Sequence, residues 1–262
     1  MEAIVLARRD FREYDQLISF YTKESGKIEL LARGVKKIIS KNSAHLEPFS
    51  NVFIEKVAGK EIDHLIKVVP IMFFSDIRKD LSKSMAAGYL VYFLEKILEI
   101  NEADKNIYNV VLSWLKFTDK ADNFEQILLD GLILVLLSEL GFRPIFEHCV
   151  ICKKPAKDLI KDYLSQKKSN KSGFYFSGGG LICADCRNIK ESVGENIFDF
   201  DLKQISGMQL LLKGNWRLIN EFDWAEKEKT DLHGLIYGFV LFHSEKKIFD
   251  WDVLTKLKRI MT

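Results

Sequence analysis

Four cysteines, and only four, occur in the chain, and they fall into two pairs, Cys149-Val-Ile-Cys152 and Cys183-Ala-Asp-Cys186. A CxxC turn brings two thiolates onto one metal ion. Two such turns complete a tetrahedral zinc site with no open position for chemistry, which makes the centre structural. The spacing therefore requires two segments on either side of a 30-residue gap to meet at one point. A redox-active CxxC pair and four buried free thiols are the competing readings of the same residues. The gap exceeds the roughly 15 to 20 residues of a compact ribbon, so an extended finger is expected between the two turns. That finger is rich in lysine: Lys153, Lys154, Lys157, Lys161, Lys167, Lys168 and Lys171 face only Asp158 and Asp162. His148 precedes the first cysteine and is read as a supporting or surface residue. Gly178-Gly179-Gly180 lacks the Lys-Ser/Thr and helix of a phosphate-binding loop and reads as a flexible turn feeding the second pair.

Charge makes sense only when the chain is divided where its character changes. Over all 262 residues the balance is +2, which by itself speaks against a polyanionic partner. Residues 1–80 carry +2, 81–141 carry −4, 142–190 carry +6 and 191–262 carry −2. The cationic surface is thus local, in the cysteine-bearing insertion and in one stretch near the N-terminus. That stretch, Arg33-Gly34-Val35-Lys36-Lys37-Ile38-Ile39-Ser40-Lys41, has four cations, and no acid occurs between Glu29 and Glu47. It is expected to be a basic loop whose Lys and Arg reach phosphates while Gly34 lets the backbone come close; a merely solvated loop is the alternative.

The first segment reads as five short strands, Ala3–Ala7, Leu17–Tyr21, Ile28–Ala32, Val52–Val57 and Ile62–Val69, each rich in Val, Ile, Phe or Tyr. Ser25-Gly26 and Gly59-Lys60 are the expected hairpin turns, on the ground that glycine supplies positive φ. Five strands in about 70 residues is the count of a Greek-key barrel such as the OB-fold, with a simple antiparallel sheet as the other arrangement. Phe20, Tyr21, Phe49 and Phe53 are candidate base-stacking faces, and equally candidate core residues, depending on which face of its strand each occupies.

From residue 76 the period becomes helical. Ala86, Leu90, Phe93, Leu94 and Ile97 share one face, as do Ile107, Val110, Val111, Trp114 and Leu115. Asp122 followed by Glu125 resembles a capping box for a helix over 127–140 that stops at Gly141, with Pro144 beyond. This helix is apolar nearly all round and is expected at the centre of a bundle. Helical pattern resumes over Leu202–Leu212, Leu232–Phe242 and Trp251–Met261. The overall expectation is an α+β chain. A barrel spans 1–80, and a helical domain in two parts, 81–147 and 191–262, is interrupted by a zinc insertion over 148–190.

No HExxH, GxSxG or Walker A string is present, and no KxDG ligase motif, since Leu128-Leu-Asp130-Gly131 lacks the lysine. The chain is read as a binding protein rather than an enzyme. Without a signal peptide or an apolar run long enough to span a bilayer, it is expected in the cytoplasm, associated with the nucleoid and not with membrane. In that reducing compartment the cysteines would not form a disulfide framework.

Several strings, in order, resemble the bacterial DNA repair family RecO. They are Glu2-Ala-Ile-Val-Leu6, Asp15 with Thr22-Lys-Glu-Ser-Gly26-Lys27, Ala32-Arg-Gly34 with its basic loop ending at Ser40-Lys41, and Leu46-Glu-Pro48-Phe49. Leu140-Gly141-Phe142, the two CxxC pairs and Phe176-Ser177 before Gly179-Gly180-Leu181 follow. The resemblance covers residues 2–190. It implies an N-terminal OB-fold, a helical domain, and a recombination mediator that binds single- and double-stranded DNA and anneals complementary strands. It also implies work with RecR to load RecA onto strands coated by single-stranded DNA-binding protein (SSB), whose acidic tail such proteins contact. On this chain the DNA contacts would fall on Arg33, Lys36, Lys37 and Lys41, and one structural Zn2+ on Cys149, Cys152, Cys183 and Cys186. Two other classes stay open: a zinc-ribbon, OB-fold adaptor for RNA or transcription, and a nucleic-acid enzyme with an unrecognised site.

Overall fold

The structure, a computed structural model, describes residues 1–37, 43–165 and 172–252. Five strands, β1 (Glu2–Asp10), β2 (Gln16–Thr22), β3 (Gly26–Ala32), β4 (Asn51–Val57) and β5 (His64–Met72), form a closed barrel in the order β1-β2-β3-β5-β4. All neighbours are antiparallel except β3 and β5, which meet in parallel through Leu31 and His64, with the Leu31 N–H donating to Asp63 O at 2.9 Å. This is the OB-fold expected from the strand count. Its core packs Ala3, Val5, Ile18, Phe20, Ile28, Leu30, Val52, Ile54 and Val68.

The alternation of a half-exposed sheet is missing from β1 and β2 because both faces are covered. Ile4 and Tyr21, on the outside of the barrel, are buried as completely as Phe20 inside it. The cover is helical: α1 (Ser75–Lys79), α2 (Leu81–Ile97) and α3 (Lys105–Lys120) follow the barrel. Tyr21 lies 6.5 Å from Tyr108 between ring centroids, and burial pushes both hydroxyls up to about 12. Lys27 reaches out of β3 to the end of α2, donating to Glu95 O at 2.6 Å and Leu98 O at 3.2 Å, where a cation satisfies carbonyls that the helix leaves unpaired. Asp80 and Asp104 cap α2 and α3 by accepting from the N–H of Lys83 and from those of Asn106 and Ile107. Gly26 closes the β2–β3 hairpin at φ 68°, and a Cβ there would sit 2.0 Å from Glu102 O, so only glycine fits. Gly59 is needed for a different reason than the sequence suggests. Its φ is not positive, but a Cβ would lie 1.9 Å from Ile62 O.

The chain divides into two compact units, residues 1–126 with the described part of 248–262, and residues 127–247. In the first, Trp251 is fully buried against Tyr89 of α2, at 5.3 Å between centroids, and the Tyr89 hydroxyl donates to Phe249 O. Residues 251 and 252 form a turn, and the rest of the helix expected over Trp251–Met261 lies outside the described residues.

The second unit is built around α4 (Ile127–Glu139), whose residues from Ile127 to Leu137 are all buried. It is enclosed by α7 (Ile205–Leu212), α8 (Trp216–Glu221) and α9 (Glu226–His243), as its uniform hydrophobicity requires. The helix starts at Ile127, too far from Asp122 for the expected capping box to form. Its other end does follow the sequence. Gly141 takes φ 92°, its N–H donates to Ser138 O and that of Phe142 to Leu137 O, a Schellman closure. One polar pair lies in this apolar centre: His233 Nδ1 of α9 is 2.8 Å from Asp130 Oδ1 of α4. No helix among the described residues is long and apolar enough to cross a membrane.

Candidate functional site

Between α4 and α7 the second unit carries α5 (Ala156–Ser165), a three-stranded sheet in the order β7-β6-β8, and α6 (Ala184–Ser192). The strands are β6 (Gly173–Tyr175), β7 (Gly180–Ile182) and β8 (Phe198–Asp199). Phe146, Phe174, Phe176 and Phe198 interlock at centroid separations of 5.5 to 5.7 Å, and Phe239 of α9 meets Phe174 edge-on at 5.5 Å. These contacts seat the small sheet on the helical core. The three glycines before Leu181 form a packed turn rather than a flexible one. A Cβ at Gly178 would lie 2.5 Å from the Tyr175 ring and one at Gly180 2.5 Å from Ile145 O, while Gly179 takes φ 69°.

This scaffold brings the four cysteines together. The first pair sits in a tight turn in which the Cys149 N–H donates to Lys154 O and the Lys153 N–H to Cys149 O, with Lys153 held at φ 62°. In the second pair Cys183 opens α6 and Cys186 lies in its first turn. All four Sγ atoms lie within 4.8 Å of one another, and those of Cys152 and Cys183 are 3.7 Å apart. Thiolates about 2.3 Å from a zinc ion form a tetrahedron with edges of about 3.8 Å, whereas a disulfide would need about 2.05 Å. The donor set therefore fits a closed metal centre, and no disulfide joins the four cysteines. Burial pushes the Cys149 thiol up, but the N–H groups of Cys183, Cys152 and Ile151 outweigh it and hold the thiol down at about 7. The Cys183 N–H lies 3.4 Å from that sulfur. Burial, with the neighbouring cysteines, raises the Cys183 and Cys186 thiols, as expected for sulfurs crowded together. Exposed Lys153, Lys157 and Lys161 flank the first pair, and Lys167, Lys168 and Lys171 lie outside the described residues.

The second candidate region lies on one rim of the barrel. After β3 the chain turns through Arg33, Gly34, Val35, Lys36 and Lys37; Lys41 lies outside the described residues. The described part of this loop, through Lys37, is anchored. Val35 belongs to the barrel core, and Gly34, at φ 63°, donates its N–H to Asp15 Oδ1 at 2.8 Å, so that N–H is not offered to a phosphate. The Lys36 N–H donates to Tyr14 O and its Nζ to Asp10 Oδ2 at 2.7 Å. The turn is thereby tied to the β1–β2 loop, residues 11–15, which closes on itself through N–H bonds from Phe11 and Arg12 to Asp15 O. Arg33 lies 3.3 Å from His64 Nε2. Lys37 stands 5.5 Å above the Tyr14 ring and Arg12 5.2 Å above the Phe11 ring; neither cation makes an ion pair among the described residues.

Of the aromatic candidates, Phe20 and Tyr21 are at 0% exposure and Phe49 is buried beneath the Arg78 guanidinium, so these three are packing residues. Phe53 alone faces solvent. The aromatics that accompany the cations are instead Phe11 and Tyr14, 43% and 47% exposed. Their sign in the sequence is the string Asp10-Phe-Arg-Glu-Tyr-Asp15, in which two aromatics are interspersed among four charged residues between two strands.

Comparison with known proteins agrees with this layout. Residues 1–74 match the family described as Recombination protein O N terminal, and residues 78–251 match Recombination protein O C terminal. The chain is similar to the DNA repair protein RecO of Desulforamulus reducens, 24% identical over 257 residues, covering 98% of this chain and 94% of that one. It is similar to the RecO of Thermoanaerobacter sp., 26% identical over 259 residues, covering 99% and 98%. Against the RecO of Syntrophomonas wolfei it is 30% identical over 184 residues, covering 70% and 68%.

Proposed function

The chain belongs to the RecO family of DNA repair proteins, and from that premise we propose that it is a recombination mediator that works by binding rather than by bond-making. It binds single- and double-stranded DNA, anneals complementary strands, and with RecR helps load RecA onto SSB-coated strands in the cytoplasm. The observation that carries this reading is the barrel rim, where two mutually anchored loops gather Arg12, Arg33, Lys36 and Lys37. Phosphate contacts from such cations are indifferent to sequence, as repair of arbitrary DNA requires. Lys41 continues the same basic stretch. A cationic surface that neutralises two strands lowers their mutual repulsion and so favours annealing.

Cys149, Cys152, Cys183 and Cys186 are proposed to hold one Zn2+. When bound, the ion supplies a closed-shell crosslink between the turn at Cys149 and the start of α6, and no open coordination position. The test is annealing of SSB-coated complementary oligonucleotides followed by fluorescence energy transfer. The chain is expected to accelerate pairing, and failure to do so sinks the mediator reading. A strong preference for RNA over single-stranded DNA in competition would point to an RNA adaptor instead.

A further inference from the structure

The β1–β2 loop holds two features that phosphate binding does not explain. Phe11 and Tyr14 are large rings left in solvent, while the two aromatics of the adjoining β2, Phe20 and Tyr21, are fully buried. Each ring also has a cation over it, Arg12 over Phe11 and Lys37 over Tyr14. A cation above an exposed ring costs side-chain freedom for a gain of only about 0.5–1 kcal/mol, so stability does not account for the arrangement.

The backbone that carries the rings is also held in place. The loop is closed by two N–H bonds to Asp15 O, Asp15 is fixed by Gly34, and the Tyr14 carbonyl accepts from Lys36. The neighbouring Glu13 carboxylate pushes the Tyr14 hydroxyl above its ordinary value, and Asp10, Glu13 and Asp15 are the acids at this rim; Asp10 is paired with Lys36 and Asp15 with the Gly34 N–H. A ring fixed beside cations has the composition of a site for unpaired bases, because a base stacks on the ring while its phosphate meets the neighbouring charge. Bases inside a duplex present no free π-face, so a stacking site favours single strands.

We propose that Phe11 and Tyr14 are base-stacking residues that give the rim its preference for single-stranded over double-stranded DNA, while Arg12 and Lys37 supply sequence-independent attraction to both. This rests on the nucleic-acid reading of the rim given above.

The experiment uses the full chain and fluorescence anisotropy with a labelled oligo(dT) and a duplex of equal length. The double variant Phe11→Ala/Tyr14→Ala should lose about tenfold or more in affinity for oligo(dT). Its duplex affinity should stay within about twofold and its salt slope should be unchanged, because no phosphate contact is removed. Tyr14→Phe should bind as the unmodified chain does. Tyr14→Trp should show indole quenching on adding oligo(dT) and none with duplex. Equal losses on both DNAs, or no loss on either, overturn the stacking assignment while leaving the nucleic-acid reading intact if Lys36→Ala/Lys37→Ala still weakens binding. A chain that binds neither DNA at low salt overturns that reading and this inference with it.

Discussion

The cysteine cluster and the barrel rim are both small polar sites built where two chain segments meet, yet they are held by opposite means. At the cluster four sulfurs converge within 4.8 Å, and a tight turn, a helix start and an interlocked set of phenylalanines position them. The donors belong to one residue type at fixed spacing, so the local sequence already contains the site. At the rim the charged groups are dispersed on exposed side chains, and what is fixed is the backbone beneath them. Val35 is sunk in the barrel core, and Asp15 holds Gly34. The first site is a convergence of four side chains and the second a surface on an anchored backbone.

Removing a ligand from the cluster should have the largest effect. Cys149→Ser is expected to abolish binding of about one zinc per chain, measured by metal analysis, and to expose residues 149–192 to hydrogen exchange. A structural zinc site contributes apparent binding energy of about 10–16 kcal/mol that is coupled to folding. The barrel should keep its affinity for oligo(dT); if DNA binding collapses as well, the two regions are not separable. Absence of metal from the unmodified chain would end the comparison.

An intermediate effect is expected at the rim. Lys36→Ala/Lys37→Ala should weaken binding to all DNA sequences about equally. The slope of log K against log salt should fall by about one to two, since each lost phosphate contact removes about 0.9. Thermal unfolding should hardly change, because neither charge supports the core. Unchanged DNA binding would remove the rim as the interface.

The smallest effect probes the charge already present there. Hydrogen bonds from Gln16 and then from Lys36 hold the Asp10 carboxyl below its ordinary value of 3.8. A carboxyl lowered by folding gives its stabilisation above that ordinary value and loses it as pH falls through the folded one. The Lys36–Asp10 pair is thus intact at neutral pH and dissolves only below about pH 4. Asp10→Asn should free Lys36 for phosphate and tighten DNA binding by up to about fivefold at pH 7, the scale of an exposed ion pair. Weaker binding in that titration would mean that Asp10 positions Lys36 rather than competing for it.

The strings that tie this chain to its family turn out to be largely architectural. Asp15 fixes Gly34, Thr22 Oγ1 donates to Gly26 O across the hairpin, and Lys27 closes the end of α2. Gly141-Phe142 ends α4, and Gly180 allows Ile145 to approach β7. Such residues are demanded by backbone geometry and so appear at set places. The aromatic candidates were not legible in the same way. Period-two patterning identifies a strand face only when one face is wet, and in β2 both are dry, so Phe20 and Tyr21 carry no sign of which way they point.

The sequence by itself determined the five strands, the apolar centre of the second unit and the pairing of the cysteines. Each depends on residues close together in the chain, through side-chain period or ligand spacing. Only the tertiary structure decided that β3 meets β5 to close the barrel, that Asp130 finds His233, and that the loop after β3 is anchored to residues 10–15. These contacts join distant segments, and nothing in the local pattern of either segment encodes its partner. The same long-range closure buries Tyr21 and leaves Tyr14 in solvent beside Lys37.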